Sequence, residues 1–279
     1  MFFEYWPVLI VDDEPDVLAV SQLSMKRFEV YGLPLKLFTA KSRGEAVALL
    51  NDDPEVANSL AIAILDVVME TDHAGLELCE YIRNGLGNKL TQIVIRTGQP
   101  GIAPERDVID KYDINGYFNK TEATQDKLYS LVKSGVRQYL SFGMAQSTVD
   151  LLGRLVAAEK SRAKILQAVE SVGGMSGSLS STPRWLFIDG KPLFADEVDA
   201  EQGLKELAAL NAQEGVPLNP FGDRYVCISK ELHLIQVHAK PNQPQTEFVF
   251  KSRFAPTDAI IQLLHSFVAA LAVAWHGSA

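Results

Sequence analysis

The sequence predicts an α/β protein in which a doubly wound, five-stranded parallel sheet is followed by a long helical connector and an α+β domain. Three observations predict this order. In the first half, short runs of Val, Ile and Leu alternate with helical patterns, as in a parallel sheet covered on both faces. In the middle, apolar residues recur at spacings of three and four. In the last third, strands follow one another directly, which favours a mainly antiparallel sheet.

The elements of the first half follow from apolar runs and from helix-start signals. We expect strands at residues 9–11, 36–39, 61–65, 93–95 and 117–118. We expect helices at residues 14–28, 42–50, 76–82 and 105–112. Pro15 suits the first turn of the first helix. Ser42 and Glu45 form a capping-box pattern at the start of the second.

The connector carries a helical pattern well beyond the end of the first sheet. Its apolar positions are Tyr139, Phe142, Ala145, Val149, Leu152 and Val156, and then Ala163, Leu166 and Val169. Glu159 interrupts the pattern and three glycines weaken it, so one helix of about 50 residues and two or three shorter segments fit equally well. The helices either pack on the domains or form a coiled coil between two chains.

The last third predicts a hairpin, a helix, three strands and a final helix. Its strands are expected at residues 185–188, 191–194, 225–229, 232–239 and 247–253, and its helices at 201–211 and 256–276. Asp189-Gly190 is a hairpin turn, and Pro192 suggests that the second strand lies at an edge. The resulting domains are residues 1–125, a connector at 126–172, a linker at 173–183 and an α+β domain at 184–279.

Composition narrows the classes of function. The chain has 279 residues, enough for two domains. Its net charge of −9 comes without any Lys/Arg cluster, which argues against a nucleic-acid partner. Two cysteines make no disulfide framework and fit a reducing cytoplasm. The amino terminus lacks the basic region of a signal peptide. The apolar run at residues 267–275 is too short to span a bilayer, so we expect no membrane contact.

Polar residues end four of the expected parallel strands. Asp12 and Asp13 close the first strand and Asp66 closes the third. Thr97 follows the fourth strand and Lys120 the fifth. Carboxylates at the end of a buried strand are costly unless something pairs with them. Three that converge predict a divalent cation, and oxygen-only ligands suit Mg²⁺.

This order of residues resembles the receiver domains of two-component response regulators, over roughly residues 5–140. The resemblance implies the strand order 2-1-3-4-5 and makes Asp66 the phosphoacceptor. It implies that Asp13 and Asp66 ligate Mg²⁺ directly, Asp12 through water, and Val68 through its backbone carbonyl. The phosphodonor would be a sensor histidine kinase or a histidine phosphotransfer protein.

The resemblance also assigns roles on the phosphoryl side of the site. Lys120 and Thr97 would bind phosphoryl oxygens, and Lys120 would be the only fixed cation of the acid cluster. Tyr117 stands where receivers carry a switch aromatic, although a half-buried core tyrosine fits equally well. Two positions depart from the usual pattern. Thr121 follows the lysine where many receivers have proline, and Glu70 adds a charge beside the phosphorylation site.

A narrower resemblance covers residues 69–75, 96–101 and 120–122, which are similar to receivers joined to an uncharacterised sensor-like domain. Those proteins frequently end in an HD-GYP phosphodiesterase. This chain has neither a His-Asp doublet nor Gly-Tyr-Pro, and no Gly-Gly-Asp-Glu-Phe motif. We therefore expect neither a cyclase nor a phosphodiesterase output, and no enzymatic activity.

The α+β domain is analogous in element order to GAF, PAS and roadblock-type modules, which licenses no function. Cys227 is expected in the core, and His233 and His238 on opposite sides of one strand. The sequence predicts a response regulator whose second domain acts through contact with an unknown downstream protein. Alternatives are a small-molecule sensor and an unrecognised enzyme such as a phosphatase. A homodimer is expected through the connector and the last helix, whose apolar residues are Leu263, Leu264, Phe267, Val268, Leu271 and Trp275.

Overall fold

The structure is a computed structural model that describes residues 4–98, 105–172, 183–196, 199–239, 245–252 and 256–278. The predicted linker at 173–183 lies outside these residues except for Pro183. The chain divides into two compact units, one spanning Glu4–Phe142 and the other beginning at Gly143.

The first unit alternates strands and helices. Its strands are β1 (Trp6–Val11), β2 (Glu29–Val30), β3 (Leu33–Ala40), β4 (Ile62–Leu65), β5 (Gln92–Thr97) and β6 (Gly116–Asn119). Its helices are α1 (Pro15–Met25), α2 (Arg43–Asp52), α3 (Pro54–Ser59), α4 (Ala74–Glu80) and α5 (Glu105–Tyr112). A π-helical turn at Tyr81–Gly85 extends α4, and a 3₁₀ turn at Lys120–Glu122 follows β6.

The sheet order is β2-β3-β1-β4-β5-β6. Its five parallel strands reproduce the predicted order 2-1-3-4-5, so the predicted fold of this domain is confirmed. The three central strands are buried on both faces, since every residue of β1, β4 and β5 is buried. Two elements were not predicted. Helix α3 is only six residues long, and β2 pairs antiparallel with β3 through a turn with positive φ at Tyr31 and Gly32.

The connector forms two helices, α6 (Gln125–Ala157) and α7 (Arg162–Val172). The break lies where Glu159 interrupts the pattern, because Glu159 and Lys160 both adopt positive φ. The three glycines do not break α6. Gly135 lies against β4, where a Cβ would approach Ile62 Cδ1 to 2.9 Å, so glycine allows the helix to pack closely on the sheet.

Helix α6 has an apolar stripe that the part of the chain described by the structure leaves exposed, and we call it the α6 seam. The seam consists of Phe142, Ala145, Val149, Leu152 and Val156, all exposed. Tyr139 was expected to belong to the same stripe, and this was wrong. Its ring is buried in the first unit and its hydroxyl donates a hydrogen bond to the carbonyl of Ser59 at 2.9 Å.

The second unit contains an antiparallel sheet with one helix preceding and one following its last four strands. The strands are β7 (Arg184–Ile188), β8 (Lys191–Asp196), β9 (Val216–Pro217), β10 (Arg224–Ile228), β11 (Leu232–His238) and β12 (Gln245–Lys251). The helices that pack on this sheet are α8 (Ala200–Asn211) and α9 (Asp258–His276). The strand order is β8-β7-β12-β11-β10-β9, so β8 is an edge strand, as Pro192 predicted.

Helices α8 and α9 cover opposite faces of the sheet. Side chains alternate along a strand, and Val249 joins the core with Trp185 and Leu207 of α8. Its neighbour Phe248 lies on the other face and contacts Phe267 of α9, with ring centroids 6.0 Å apart. An α+β second domain is therefore confirmed.

Helix α9 buries most of the residues that were expected to form a dimer surface. Leu264, Phe267, Val268 and Leu271 are buried within the unit, so the dimer expectation loses its support from this helix. The whole helix has 19 residues and is long and apolar enough to cross a bilayer, unlike the shorter run considered from the sequence. Its buried face on the sheet is also what a core helix of a soluble protein shows.

Cys227 is exposed, so its predicted place in the core was wrong. The reason lies in the position of β10 in the sheet. This strand lies next to the short edge strand β9, whereas α9 contacts β11 and β12. Alternating apolar residues indicate a strand but do not show which part of its face a helix covers.

Candidate functional site

Two buried carboxylates lie together at the carboxyl edge of the parallel sheet. Asp12 follows β1 and Asp66 follows the neighbouring strand β4, and the backbone N–H of Asp66 donates to the carbonyl of Val11 at 2.9 Å. Asp12 and Asp66 are buried, whereas Asp13 and Glu14 are exposed. One carboxylate oxygen from each of the four residues lies within 4.8 Å of the others. We call these four residues the acid cluster.

Lys120 binds three members of the acid cluster. Its Nζ lies 2.6 Å from Asp66 Oδ2, 2.7 Å from Glu14 Oε1 and 3.1 Å from Asp12 Oδ1. Burial alone would lower the pKa of Lys120, but hydrogen bonds to the three carboxylates outweigh it and raise the pKa. The ammonium therefore stays charged, and it stabilises carboxylates that would otherwise repel one another.

The Asp66 carboxylate is held at both oxygens. Oδ1 accepts a hydrogen bond from the backbone N–H of Val67 at 2.7 Å, and Oδ2 binds Lys120. Burial raises the pKa of Asp66, and the hydrogen bond from Lys120 opposes that rise. Gly75 packs against the same loop, where a Cβ would lie 1.8 Å from the carbonyl oxygen of Asp66. Only glycine lets α4 begin this close to the backbone of Asp66.

A second cation, Arg96, reaches the acid cluster from below the sheet edge. Its guanidinium lies 3.2 Å from Asp12 Oδ2 and donates to the Ser21 hydroxyl of α1 at 2.6 Å. The expectation that Lys120 is the only fixed cation was therefore wrong. A signal was present in the sequence, since an arginine within the apolar run of β5 must pair with an anion if that strand is buried.

The remaining predicted site residues surround this edge. Thr97 is buried at the end of β5, next to Asn119 at the end of β6. Tyr117 is half-buried and packs on the apolar core of the unit. Val68 follows two residues after Asp66 and is half-buried. Their proposed contacts with metal or phosphoryl oxygens stay predictions.

Glu70 has a structural partner that the sequence did not indicate. Its two carboxylate oxygens accept hydrogen bonds from the backbone N–H groups of Arg43 and Gly44, at 3.1 and 3.2 Å. These N–H groups begin α2 and have no partner within the helix. Glu70 therefore ties the loop after Asp66 to the start of α2.

The acid cluster fits a hard divalent cation. It offers carboxylate oxygens alone, which is the ligand chemistry that Mg²⁺ prefers. Its four carboxylates face two cations, Lys120 and Arg96, which leaves an excess of two negative charges. A divalent ion would neutralise that excess, so the residues present fit the predicted metal.

The second unit contains two separate histidine sites. The buried carboxylate of Asp223 lies 2.7 Å from His265 Nε2 and 3.4 Å from His238 Nδ1, and an open cavity of about 490 Å³ lies beside it. His233 Nδ1 instead lies 2.7 Å from the Tyr225 hydroxyl, and burial lowers the pKa of His233 to about 4. His233 and His238 thus have different partners, as their spacing along the strand predicted.

The comparisons with known proteins cover about half of the chain. No family model matches the chain. A 3'3'-cGAMP-specific phosphodiesterase 2 of Vibrio cholerae serotype O1 is 42% identical over 136 residues, which are 49% of this chain and 25% of the relative. The chain thus spans about a quarter of the length of the curated relative that it matches.

Solved structures with similar folds include receiver domains at low sequence identity. A signal receiver domain of an HD domain-containing protein from Pseudomonas fluorescens Pf-5 is 17% identical, with a TM-score of 0.40, and covers 50% of this chain and 93% of that one. The Mn²⁺-bound form of response regulator Rcp1 is 20% identical, with a TM-score of 0.36, over 46% of this chain and 90% of that one.

The expectation that this protein is not an enzyme is contradicted by these comparisons. The relative with 42% identity is a phosphodiesterase, so the matched segment occurs in an enzyme. The sequence lacks the cyclase and phosphodiesterase motifs, and this was the reason to expect no enzymatic activity. A missing motif excludes only the active sites that carry that motif. The relationship over the relative's full length is distant.

The strand order defines the fold of the first unit. The acid cluster, Thr97 and Lys120 lie at the carboxyl ends of its strands. Doubly wound sheets bind their ligands at this edge. The first unit of this chain therefore has a receiver-type fold, with the acid cluster at the edge of the sheet where such folds bind ligands.

Proposed function

We propose that this chain accepts a phosphoryl group on Asp66 in a Mg²⁺-dependent reaction and so acts in a two-component phosphorelay. The observation that carries the proposal is the contact of Lys120 Nζ with Asp66 Oδ2 at 2.6 Å inside the acid cluster. A buried carboxylate with a fixed cation beside it is placed both to attack phosphorus and to have its product stabilised.

The reaction forms an O–P bond between the Asp66 carboxylate and the phosphoryl group and breaks the bond to the donor. The donor is a phosphohistidine of a sensor kinase or phosphotransfer protein, or a small acyl phosphate, and the leaving group takes the bonding electron pair. Lys120 and Thr97 bind the phosphoryl oxygens and stabilise the negative charge that these oxygens carry during transfer. Tyr117 is proposed to follow Thr97 as a switch aromatic.

Mg²⁺ would be held by Asp13 and Asp66, by Asp12 through water, and by the carbonyl of Val68. When bound, it neutralises charge on the transferring group. The chain's own contribution is to hold Asp66 at both oxygens, as described above, so that little reorganisation accompanies transfer.

Incubation with acetyl phosphate and Mg²⁺ should incorporate phosphate into the full chain. Incorporation should be lost in Asp66→Asn, and Asp13→Ala should raise the Mg²⁺ concentration that half-saturates the reaction by about tenfold or more. Radiolabelled phosphate measures both effects. Asp72→Asn removes an exposed carboxylate of the same loop and should react like wild type. Incorporation that continues in excess EDTA, or that persists in Asp66→Asn, would contradict the proposal.

The second unit is proposed to deliver the output, in a cytoplasmic homodimer joined along the α6 seam. The seam residues follow alternating spacings of three and four, which is the a/d pattern of a coiled coil. Positions flanking the seam are uncharged: Ser141, Gln146, Thr148 and Gly153. Two copies can therefore approach without like-charge repulsion. The downstream partner is proposed to be a protein.

A second candidate function is suggested by the curated relative. Its identity with this chain, 42% over 136 residues, supports a role in the turnover of 3'3'-cGAMP, with phosphorylation of Asp66 as the control. The open cavity beside Asp223 in the second unit is a candidate place for a ligand.

Purified full chain should be incubated with 3'3'-cGAMP and Mg²⁺ or Mn²⁺, with and without acetyl phosphate. This candidate predicts loss of the cyclic dinucleotide at a rate that depends on acetyl phosphate in wild type but not in Asp66→Asn. Chromatography of the nucleotides measures it. An intact cyclic dinucleotide under all four conditions would rule the second candidate out while leaving phosphoryl acceptance in place.

A further inference from the structure

We propose that Arg96 holds the Asp12 carboxylate in an ion pair within the protein and thereby weakens the affinity of the acid cluster for Mg²⁺. The inference rests on the proposed Mg²⁺-dependent phosphoryl acceptance and concerns a residue with no role in that proposal. Arg96 touches neither the phosphoacceptor nor the predicted phosphoryl partners in the described contacts, so it acts as a positioning residue.

The guanidinium of Arg96 is fixed on two sides. It is 3% exposed and bridges Asp12 Oδ2 to the Ser21 hydroxyl. That hydroxyl in turn donates to the carbonyl of Val17 one helical turn earlier, at 2.6 Å. Because Ser21 belongs to α1, the contact holds the arginine between a helix and a strand end. Moving this buried guanidinium into solvent would break both contacts and leave the buried Asp12 carboxylate without its arginine partner.

Asp12 has little acceptor capacity left. Its Oδ1 accepts from the backbone N–H of Glu14 and from Lys120, both at 3.1 Å, and its Oδ2 is occupied by Arg96. Three of about four lone-pair positions on the carboxylate are therefore used. Asp13, by contrast, is exposed and carries no such contacts among the described interactions. A metal ion would draw its carboxylate ligands from Asp13 and Asp66 before Asp12.

The two cations of the site differ in freedom. Lys120 has a side chain that is 15% exposed and a flexible stem, so it can follow an incoming phosphoryl group. If Arg96 moved away from Asp12, both residues would be left as buried charges without a partner. Its positive charge therefore stays beside the metal position with or without phosphoryl group, and it opposes a divalent cation in both states.

Removing this charge should tighten Mg²⁺ binding. Arg96→Gln keeps a hydrogen-bond donor for Asp12 but carries no charge, and the dissociation constant for Mg²⁺ should fall by about tenfold. Arg96→Lys keeps the charge and should bind Mg²⁺ within about twofold of wild type. Isothermal titration calorimetry of the full chain with MgCl₂ alone measures all three proteins without any phosphodonor.

Arg83→Met is the matched control for loss of a buried arginine. Arg83 is 5% exposed and binds the carbonyls of Asn88 and Asp113, away from the acid cluster. The Arg83→Met substitution should lower the free energy of unfolding without changing the affinity for Mg²⁺. If Arg96→Gln does not yield folded protein, Arg96→Met replaces it, since methionine fills the same space without a polar group to bury.

The outcomes separate this inference from the proposed function. Tighter Mg²⁺ binding in Arg96→Gln or Arg96→Met, with wild-type binding in Arg96→Lys and Arg83→Met, supports the inference. Equal or weaker binding in both neutral variants, with clear binding by wild type, overturns the inference alone. Absence of Mg²⁺ binding in wild type and in every variant overturns both the inference and the proposed function.

Discussion

Replacing Lys120 by methionine should slow phosphoryl transfer to Asp66 by about a hundredfold, the loss typical of removing one charged donor from a developing anion. The substitution leaves Asp66 Oδ2 and Glu14 without the cation that each now binds. Initial rates with acetyl phosphate at saturating Mg²⁺ measure the effect, because saturation removes any difference in metal affinity.

The same variant should lose stability in the absence of metal. Asp12 and Asp66 are buried, and Arg96 would be the remaining cation beside them among the described contacts. Breaking a buried ion pair from one side costs about 3 kcal/mol of unfolding free energy. Mg²⁺ should restore part of this loss, since it supplies positive charge at the same carboxylates. Urea unfolding with EDTA and with Mg²⁺ gives both values.

Lys127→Met is the control for the loss of a lysine. Lys127 is half-exposed and pairs with Glu122 on the surface, so the rate and the stability should stay near wild type. A Lys120→Met protein that accepts phosphate at the wild-type rate would show that Lys120 is not the phosphoryl partner.

Two glutamates in the α6 seam should convert the proposed homodimer into a monomer. Val149 is 66% exposed and Val156 is 81% exposed, and both occupy the first (a) position of the heptad pattern. Val149→Glu with Val156→Glu would bury four unpaired carboxylates in a twofold interface. At about 3 kcal/mol for each buried unpaired charge, the dimer dissociation constant should rise by well over a hundredfold.

Light scattering at micromolar concentration measures the mass of the wild-type and variant chains. The control is Leu23→Glu, because Leu23 of α1 is 77% exposed but lies outside the seam. Wild type and Leu23→Glu should both show twice the mass of the chain. A monomeric mass for wild type, with and without beryllofluoride as a phosphoryl mimic, would reject the homodimer.

The fold of the first unit could be predicted because its local signals agree. The apolar runs of β1, β4 and β5 are buried on both faces, and Ser42 accepts a hydrogen bond from the N–H of Glu45 at the start of α2, as the capping pattern indicated. The hairpin of β2 and β3 escaped prediction because β2 has only two residues. Its turn uses a tyrosine at positive φ, where glycine or asparagine is the usual signal.

The site could be predicted only as far as polar residues mark strand ends. Asp12, Asp13, Asp66, Thr97 and Lys120 all follow this rule, and the structure brings them to one edge. Arg96 and Glu70 do not follow it, because Arg96 lies within β5 and Glu70 lies in the loop between β4 and α4. Arg96 reaches Ser21 of α1, and Glu70 reaches the start of α2. Pairings of this kind depend on how helices pack on the sheet, which residue order alone does not determine.

The second unit shows the same limit. Its strands could be read from alternation, but the coverage of each face depends on where α8 and α9 pack, and this decided the exposure of Cys227. Asp223, which binds His265 of α9 and lies beside the open cavity, was not singled out from the sequence. An isolated aspartate before a strand carries no signal until the fold brings the histidine to it.

The central claim is that Asp66 is the phosphoacceptor, and peptide mapping by mass spectrometry tests it most directly. The full chain is treated with acetyl phosphate and Mg²⁺, digested under mildly acidic conditions and compared with an untreated sample. The peptide that contains Asp66 should gain the mass of one phosphoryl group, and no peptide of Asp66→Asn should gain mass. A phosphoryl group on any other peptide, or one that survives in Asp66→Asn, would contradict the central claim.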